Sequence, residues 1–229
     1  MLSWVARLYT LVRTTLGWIV GLTVTLTLIW VLVYRWVDPP TTPYMLTEYG
    51  RLGSIDKSWR DMEEIAPVMA RSAVAAEDAN FCLHWGFDVG ALREAIEDGG
   101  GRGASSISQQ VVKNVFLWHG RSWLRKGLEA LLTPVMEAFW TKERIMEVYL
   151  NVAEFDEGVF GVEAASNHYF GRSADALTPS QAAALASILP APKQRNATRL
   201  SPAMQRKARR VADGAATIRA DGRAACFES

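Results

Sequence analysis

The chain of 229 residues sets 25 Lys and Arg against 24 Asp and Glu, a formal net charge of +1, so bulk charge gives no basis for a nucleic-acid or acidic partner and none is expected. Apolar residues are 49% of the total but crowd toward the N-terminus, which leaves roughly 190 residues for one domain with its own core. Cys82 and Cys226 have no metal-ligand neighbourhood, and His84, His119 and His168 form no metal-like spacing. The two cysteines can pair in an oxidising compartment, but their separation gives no support for pairing, and both read as structural.

In chain order, residues 1–13 are a short N-terminal segment and residues 14–37 a membrane anchor. Thr14 to Tyr34 is a run of 21 residues without a charge, long enough to cross a ~30 Å hydrocarbon core as a helix. Trp18 lies near one end and Trp30, Tyr34 and Trp36 near the other, as suits residues that favour membrane interfaces. No Ala-x-Ala-like site follows the run, which argues for a retained anchor over a cleaved signal peptide. Arg7 and Arg13 precede it while Arg35 and Arg51 follow, a small bias toward a cytoplasmic N-terminus.

Residues 38–58 read as a linker, with Tyr44 to Lys57 irregular or a short extended piece, and residues 59–229 as a mainly α domain. Helices are predicted near 60–79, 88–97, 106–118, 123–150, 161–170, 178–188 and 202–220, with no convincing alternating strand.

Four clusters can carry chemistry. In the first, RSAVAAEDANFCLHWGFD from Arg71 to Asp88, two adjacent carboxylates, Glu77 and Asp78, end a small apolar helix. Apolar surroundings raise a carboxyl pKa toward the range useful for proton transfer, although solvated acids at a helix end explain the same composition. In the second, four glycines in the five positions 99–103 precede Ser106-x-x-Gln109, a capping box that starts a helix, with Lys113 four residues beyond Gln109 on one face. Free N–H groups at a helix start and a nearby Lys suit a phosphate, while a plain helix-linking loop accounts for the glycines alone.

The third cluster runs from Arg121 through Arg125 and Lys126 to Glu129. Arg125 and Glu129 are spaced for a surface ion pair, but three cations beside Trp118 and Trp123 also suit an anionic headgroup at a lipid interface, with Phe116 to Trp123 dipping into it. The fourth cluster, Lys142 to Gly171, reads as scaffold, with Ile145, Val148 and Tyr149 in the core and Gly171 as a helix C-cap.

The strings EDANFCLHWGFD, GASSISQQVVKN, RSWLRKGLE, ERIMEVYLN, GVEAASNHYFG and LTPSQAAALASILPAP stand in the order found in the peptidoglycan glycosyltransferases, glycosyltransferase family 51. Over roughly residues 65–192 the chain resembles that family, and within it the monofunctional biosynthetic transglycosylases of Gram-negative bacteria. The resemblance implies a lysozyme-like helical fold and an enzyme that polymerises lipid II into β-1,4-linked glycan with inversion, releasing polyprenyl diphosphate.

It also implies roles. Glu77 is the base on the acceptor 4-hydroxyl. Lys113, Arg121 and Arg125, with Lys126 nearby, hold the donor diphosphate. Glu129 orients those cations or helps to hold a divalent ion, Mg or Mn, on the diphosphate. Ser105, Gln109 and Asn114 shape the sugar and phosphate pocket, and Asp78, Phe81, His84 and Gly86 are supporting positions. No covalently bound cofactor is implied.

The implied partners are lipid II, the growing lipid-linked strand, the membrane and other cell-wall synthesis or division proteins. The implied location is a single-pass inner-membrane protein with a cytoplasmic N-terminus and a periplasmic domain. Ser106 stands where the family usually has Thr, Phe155-Asp156 where close relatives have Trp-Gly, and Cys82 at a variable position. No room is expected after residue 192 for a transpeptidase, so the enzyme is expected to be monofunctional. A lysozyme-type muramidase would need a general acid and usually a second carboxylate, but no converging cations. A non-catalytic membrane scaffold would not need Glu77 and Glu129.

Overall fold

The computed structural model describes residues 2–97, 105–120 and 122–228. They fall into two units, 1–38 and 39–229.

The first unit contains one helix, α1 (Leu2–Val33), 32 residues long, with a candidate membrane span of 25 residues from Tyr9 to Val33. The hydroxyls of Thr14, Thr23 and Thr27 each donate to the carbonyl four residues earlier, so these polar groups need no water. The helix is long and apolar enough to cross a membrane. It starts before the expected residue 14 because nothing between Ser3 and Arg13 breaks helical backbone, and it stops at Val33.

The second unit holds nine further helices among the described residues: α2 (Pro43–Leu52), α3 (Pro67–Glu77), α4 (Val89–Glu97), α5 (Ile107–Phe116), α6 (Trp123–Phe139), α7 (Lys142–Val152), α8 (Val162–Phe170), α9 (Pro179–Ile188) and α10 (Pro202–Ala220). A three-stranded sheet accompanies them: β1 (Asp56–Lys57), β2 (Glu154–Asp156) and β3 (Val159–Phe160). Its order is β1-β3-β2, with β1 parallel and β2 antiparallel to β3.

Three expectations are corrected. Residues 43–52 are helical because Thr42 caps Met45 N–H at 3.1 Å, Pro43 opens the helix and Gly53 ends it at φ 80°. The long helix expected over 123–150 breaks at Trp140, where Thr141 caps Arg144 N–H and starts α7. The strands were not expected; each is too short to show alternation.

Two packed groups position the site. In one, α3 lies against α9 and α10, close because the contacts are small: Ala70 and Ala73 are fully buried, as are Ala182 and Ala186, and a Cβ on Gly214 would sit 3.1 Å from the Cβ of Ala75. In the other, α5 packs on α6 and α7 through fully buried Val111, Val112, Val115, Met136, Ile145 and Val148. Cys82 and Cys226 form a disulfide across 144 positions, tying the turn after α3 to the C-terminal segment. Arg71–Glu228 (2.8 Å), Arg223 donating to the Ala79 carbonyl (3.1 Å) and the Phe81–Phe227 ring contact (6.1 Å) hold the same junction.

Candidate active site

Glu77 is the last residue of α3, and the packing that fixes α3 fixes its carboxylate. Gln110 on α5 donates to Glu77 Oε2 at 3.1 Å. Burial pushes the Glu77 carboxyl above its ordinary value, against the Gln110 hydrogen bond and the nearby Lys207, Lys113 and Arg195, which favour the charged form.

The turn that follows is held by the supporting residues. Asp78 Oδ2 accepts from the first N–H of α5, Ile107, at 2.9 Å, and Oδ1 pairs with His84 Nε2 at 2.8 Å. Phe81 is fully buried against Phe227 of the C-terminal segment. Gly86 has φ +82°, its carbonyl accepts from Ser106 Oγ at 2.5 Å, and a Cβ there would come within 2.5 Å of Thr133 Cγ2. Only glycine lets this turn lie so close to α6.

The capping box expected at Ser106 is present: Ser106 Oγ accepts from Gln109 N–H and Gln109 Oε1 accepts from Ser106 N–H. It starts α5 beside a buried carboxylate. Glu129 on α6, 2% exposed, binds Arg125 at 2.6 Å and also Lys126, and Gln109 Nε2 lies 3.5 Å from it. Lys126 donates to Ser105 Oγ as well, at 3.1 Å. The Arg125–Glu129 pair expected on the surface is therefore largely buried, and Gln109 is held by Ser106 and Glu129. Arg121 and the glycine run 99–103 lie outside the described residues.

Two cavities share α5 as a wall. One, of about 360 Å³, is lined by Gln110, Lys113, Asn114, Tyr149 and Glu154, with Lys193 opposite. The other, of about 420 Å³, is lined by Ser105, Gln109 and Lys126 with Phe87, Asp88 and Leu92. The candidate binding residues thus divide between two cavities. Lys113 has no hydrogen bond or ion pair among the described residues, and burial lowers its pKa against the pull of Glu129. An ammonium desolvated without a partner is a ready site for an anion. Asn114 is buried and its Oδ1 lies 3.2 Å from His119 Nε2.

The sequence reading missed the far wall of the first cavity. The Tyr44 and His119 rings stack at 3.4 Å and 6°, Tyr44 donates to Glu154, and Lys193 pairs with Glu48 (2.9 Å) and Glu154 (3.5 Å). Desolvation, with Lys113, Arg125 and Lys193 nearby, brings His119 down to about 4, so it is neutral at ordinary pH. Thr42-Pro43, which opens the helix carrying Tyr44, was the available signal.

Ligand atoms of Asp78, His84 and Asp88 lie within 4.8 Å of one another, a set that offers one nitrogen and two oxygens to an ion. The groups are already engaged: Asp78 as above, and Asp88 by Asn80 and Ala91 N–H. They fit a stabilised turn better than a vacant coordination shell.

A partly buried helix-end carboxylate, a desolvated ammonium and an Arg–Lys–Glu cluster make up the candidate site, in a chain that also carries one helix long and apolar enough to cross a membrane. The transglycosylase family matches residues 45–216, and the chain belongs to it. It is 61% identical over 202 residues to a biosynthetic peptidoglycan transglycosylase of Jannaschia sp. (strain CCS1), covering 88% of this chain and 84% of that one. It is 45% identical over 200 residues to a protein of the same description from Caulobacter vibrioides, covering 86% and 87%. A Xanthomonas campestris protein so described is 48% identical over 188 residues, covering 77% and 76%.

Proposed function

We propose that the chain is a peptidoglycan transglycosylase that extends β-1,4-linked glycan from lipid II with inversion at the anomeric carbon. The single observation that carries this reading is that Glu77, raised by desolvation and held by Gln110, lies within electrostatic reach of Lys113, a partly buried ammonium without a described partner on the same helix as Gln110. Glu77 removes the proton of the acceptor 4-hydroxyl as it attacks. Lys113, Arg125 and Lys126 stabilise charge on the departing diphosphate, and Glu129 keeps the last two in place. Arg121 belongs to the same proposal by resemblance. Ser105, Gln109 and Asn114 frame the sugar and phosphate positions. A Mg or Mn ion, where used, would arrive with the diphosphate near Glu129. Peptide cross-linking is no part of the proposal.

A polyprenyl tail gains ~0.8 kcal/mol per buried CH₂ and stays in the bilayer, so the anchor keeps enzyme and substrate on one surface. The disulfide supports an oxidising location for the domain, hence the periplasmic face of the inner membrane with the N-terminus in the cytoplasm. Purified protein incubated with labelled lipid II should give polymer. Digestion of preformed glycan instead would mean a muramidase, and neither product would mean a binding scaffold.

A further inference from the structure

Tyr149 on α7 reads as a core residue by spacing, and its side chain is indeed only 1% exposed. Yet it also lines the 360 Å³ cavity, and its hydroxyl is buried with no hydrogen-bond partner among the described residues. Phenylalanine would fill the same volume without stranding a polar group, so an unpaired buried hydroxyl calls for an explanation.

The anionic groups that act on this hydroxyl are Glu77 and Asp78. Asp78 has both oxygens occupied, by His84 and by Ile107 N–H. Glu77 has one oxygen held by Gln110 and no partner on the other among the described residues. A donor lacking an acceptor therefore lies within electrostatic reach of a carboxylate with one oxygen unengaged among the described residues. We propose that Tyr149 is a positioning residue for the base: its hydroxyl donates to the open oxygen of Glu77 when substrate fills the cavity.

The proposal rests on Glu77 being the base. Each carboxylate oxygen accepts two hydrogen bonds, so Gln110 and Tyr149 together leave room for the incoming hydroxyl. The proton taken from the acceptor stays on Glu77. Tyr149 keeps its own, because burial and the neighbouring carboxylates raise its pKa well above the ordinary value.

The groups facing Glu77 are Gln110 and Lys113 from α5, Lys207 from α10, Arg195 from the segment after α9, and Tyr149. Burial lowers Lys113 and Lys207, and His119 and Glu154 line the same cavity, so it is the change in the acid limb on removing the Tyr149 hydroxyl, not its position, that reports Glu77. Removing a donor from a carboxylate disfavours its charged form and moves that limb to higher pH.

The test compares full-length wild type, Tyr149→Phe, Glu77→Gln and the double variant with labelled lipid II across pH, with Tm for each. Tyr149→Phe should keep or raise Tm, lower kcat about tenfold with little change in KM, and shift the acid limb upward by about half a pH unit. In the Glu77→Gln background it should do nothing further, since it acts through Glu77. Wild-type kcat and an unmoved limb in Tyr149→Phe overturn the proposal, as does a rise in KM alone, which would assign the hydroxyl to substrate binding. A fully active Glu77→Gln would instead overturn the base assignment on which the proposal stands.

Discussion

Glu129 and Glu77 are both carboxylates set against α5 among basic side chains, but they are satisfied in opposite ways. Glu129 is gripped by Arg125 and Lys126, with Gln109 behind it, and Lys126 is tied on to Ser105. Among the described residues Glu77 has a single hydrogen bond, from Gln110, and the α5 cation, Lys113, is paired with nothing. A saturated cluster holds its geometry in the free protein and needs no ligand to complete it. An unsaturated one keeps bonding capacity in reserve, at a cost in desolvation, for a ligand that arrives later. Under the proposed function the Glu129 side would be a prebuilt frame, and the Glu77 side the place where the reacting groups enter.

The sharpest break of this comparison is Glu77→Gln. Glutamine keeps the size and the Gln110 contact but accepts no proton, so polymerisation of lipid II should fall on the order of 10²-fold or more with Tm unchanged. A folded variant that retains above a tenth of wild-type turnover would remove Glu77 from the mechanism. In the wild type, the base must be deprotonated to act. Because burial raises its pKa, the rate should decline as pH falls through a value above the ordinary 4.5, and a limb at or below that value would contradict the burial argument.

Lysine substitutions separate the two sides by a smaller effect. Lys113→Ala removes the unpaired ammonium and should lower kcat/KM roughly thirtyfold, about 2 kcal/mol, without loss of Tm. Lys126 is 42% exposed and already bound to Glu129 and Ser105, so Lys126→Ala should cost only about threefold. A soluble disaccharide without the diphosphate should bind all three proteins alike. Equal losses at the two lysines would mean that pairing in the free protein does not distinguish frame from reactive groups.

Much of this arrangement was legible where the chemistry is local. The capping box at Ser106 and Gln109, the Gly171 C-cap of α8, and the carboxylate ending α3 all follow from residues within a few positions of one another. What was hidden depends on distant partners. Cys82 and Cys226 lie 144 positions apart, and nothing in the intervening sequence forecasts their meeting. Tyr149 fits a core stripe by spacing, so its stranded hydroxyl shows only once α7 is packed beside α5. The helix of Tyr44 was missed although Thr42, Pro43 and Gly53 mark both its ends. The break between α6 and α7 was masked by a periodicity that runs through Trp140.

The smallest expected effect concerns the exposed apolar edge of the frame around Trp123. Of the aromatic and aliphatic set suggested by sequence, Phe116 and Leu117 are buried, and Phe116 packs on Trp140 at 6.1 Å, so these two belong to the core. Trp118, Trp123 and Leu124 are 44%, 94% and 68% exposed, and Leu131 on the same helix as Trp123 is 69% exposed. Apolar groups in water beside Arg125 and Lys126 suit an anionic lipid surface, with rings at the acyl boundary and cations at the headgroups. The unit from residue 39 onward has its own core, so a protein lacking residues 1–38 should fold. It should still float with anionic vesicles at moderate salt, and Trp118→Ser/Trp123→Ser should reduce the floated fraction several-fold while leaving Tm in place. Raised salt should weaken but not abolish binding, because the buried apolar area is insensitive to screening while the cation contribution is not. A truncated domain that stays wholly in solution would leave membrane attachment to the anchor alone, and would confine the role of Trp123 to something other than lipid.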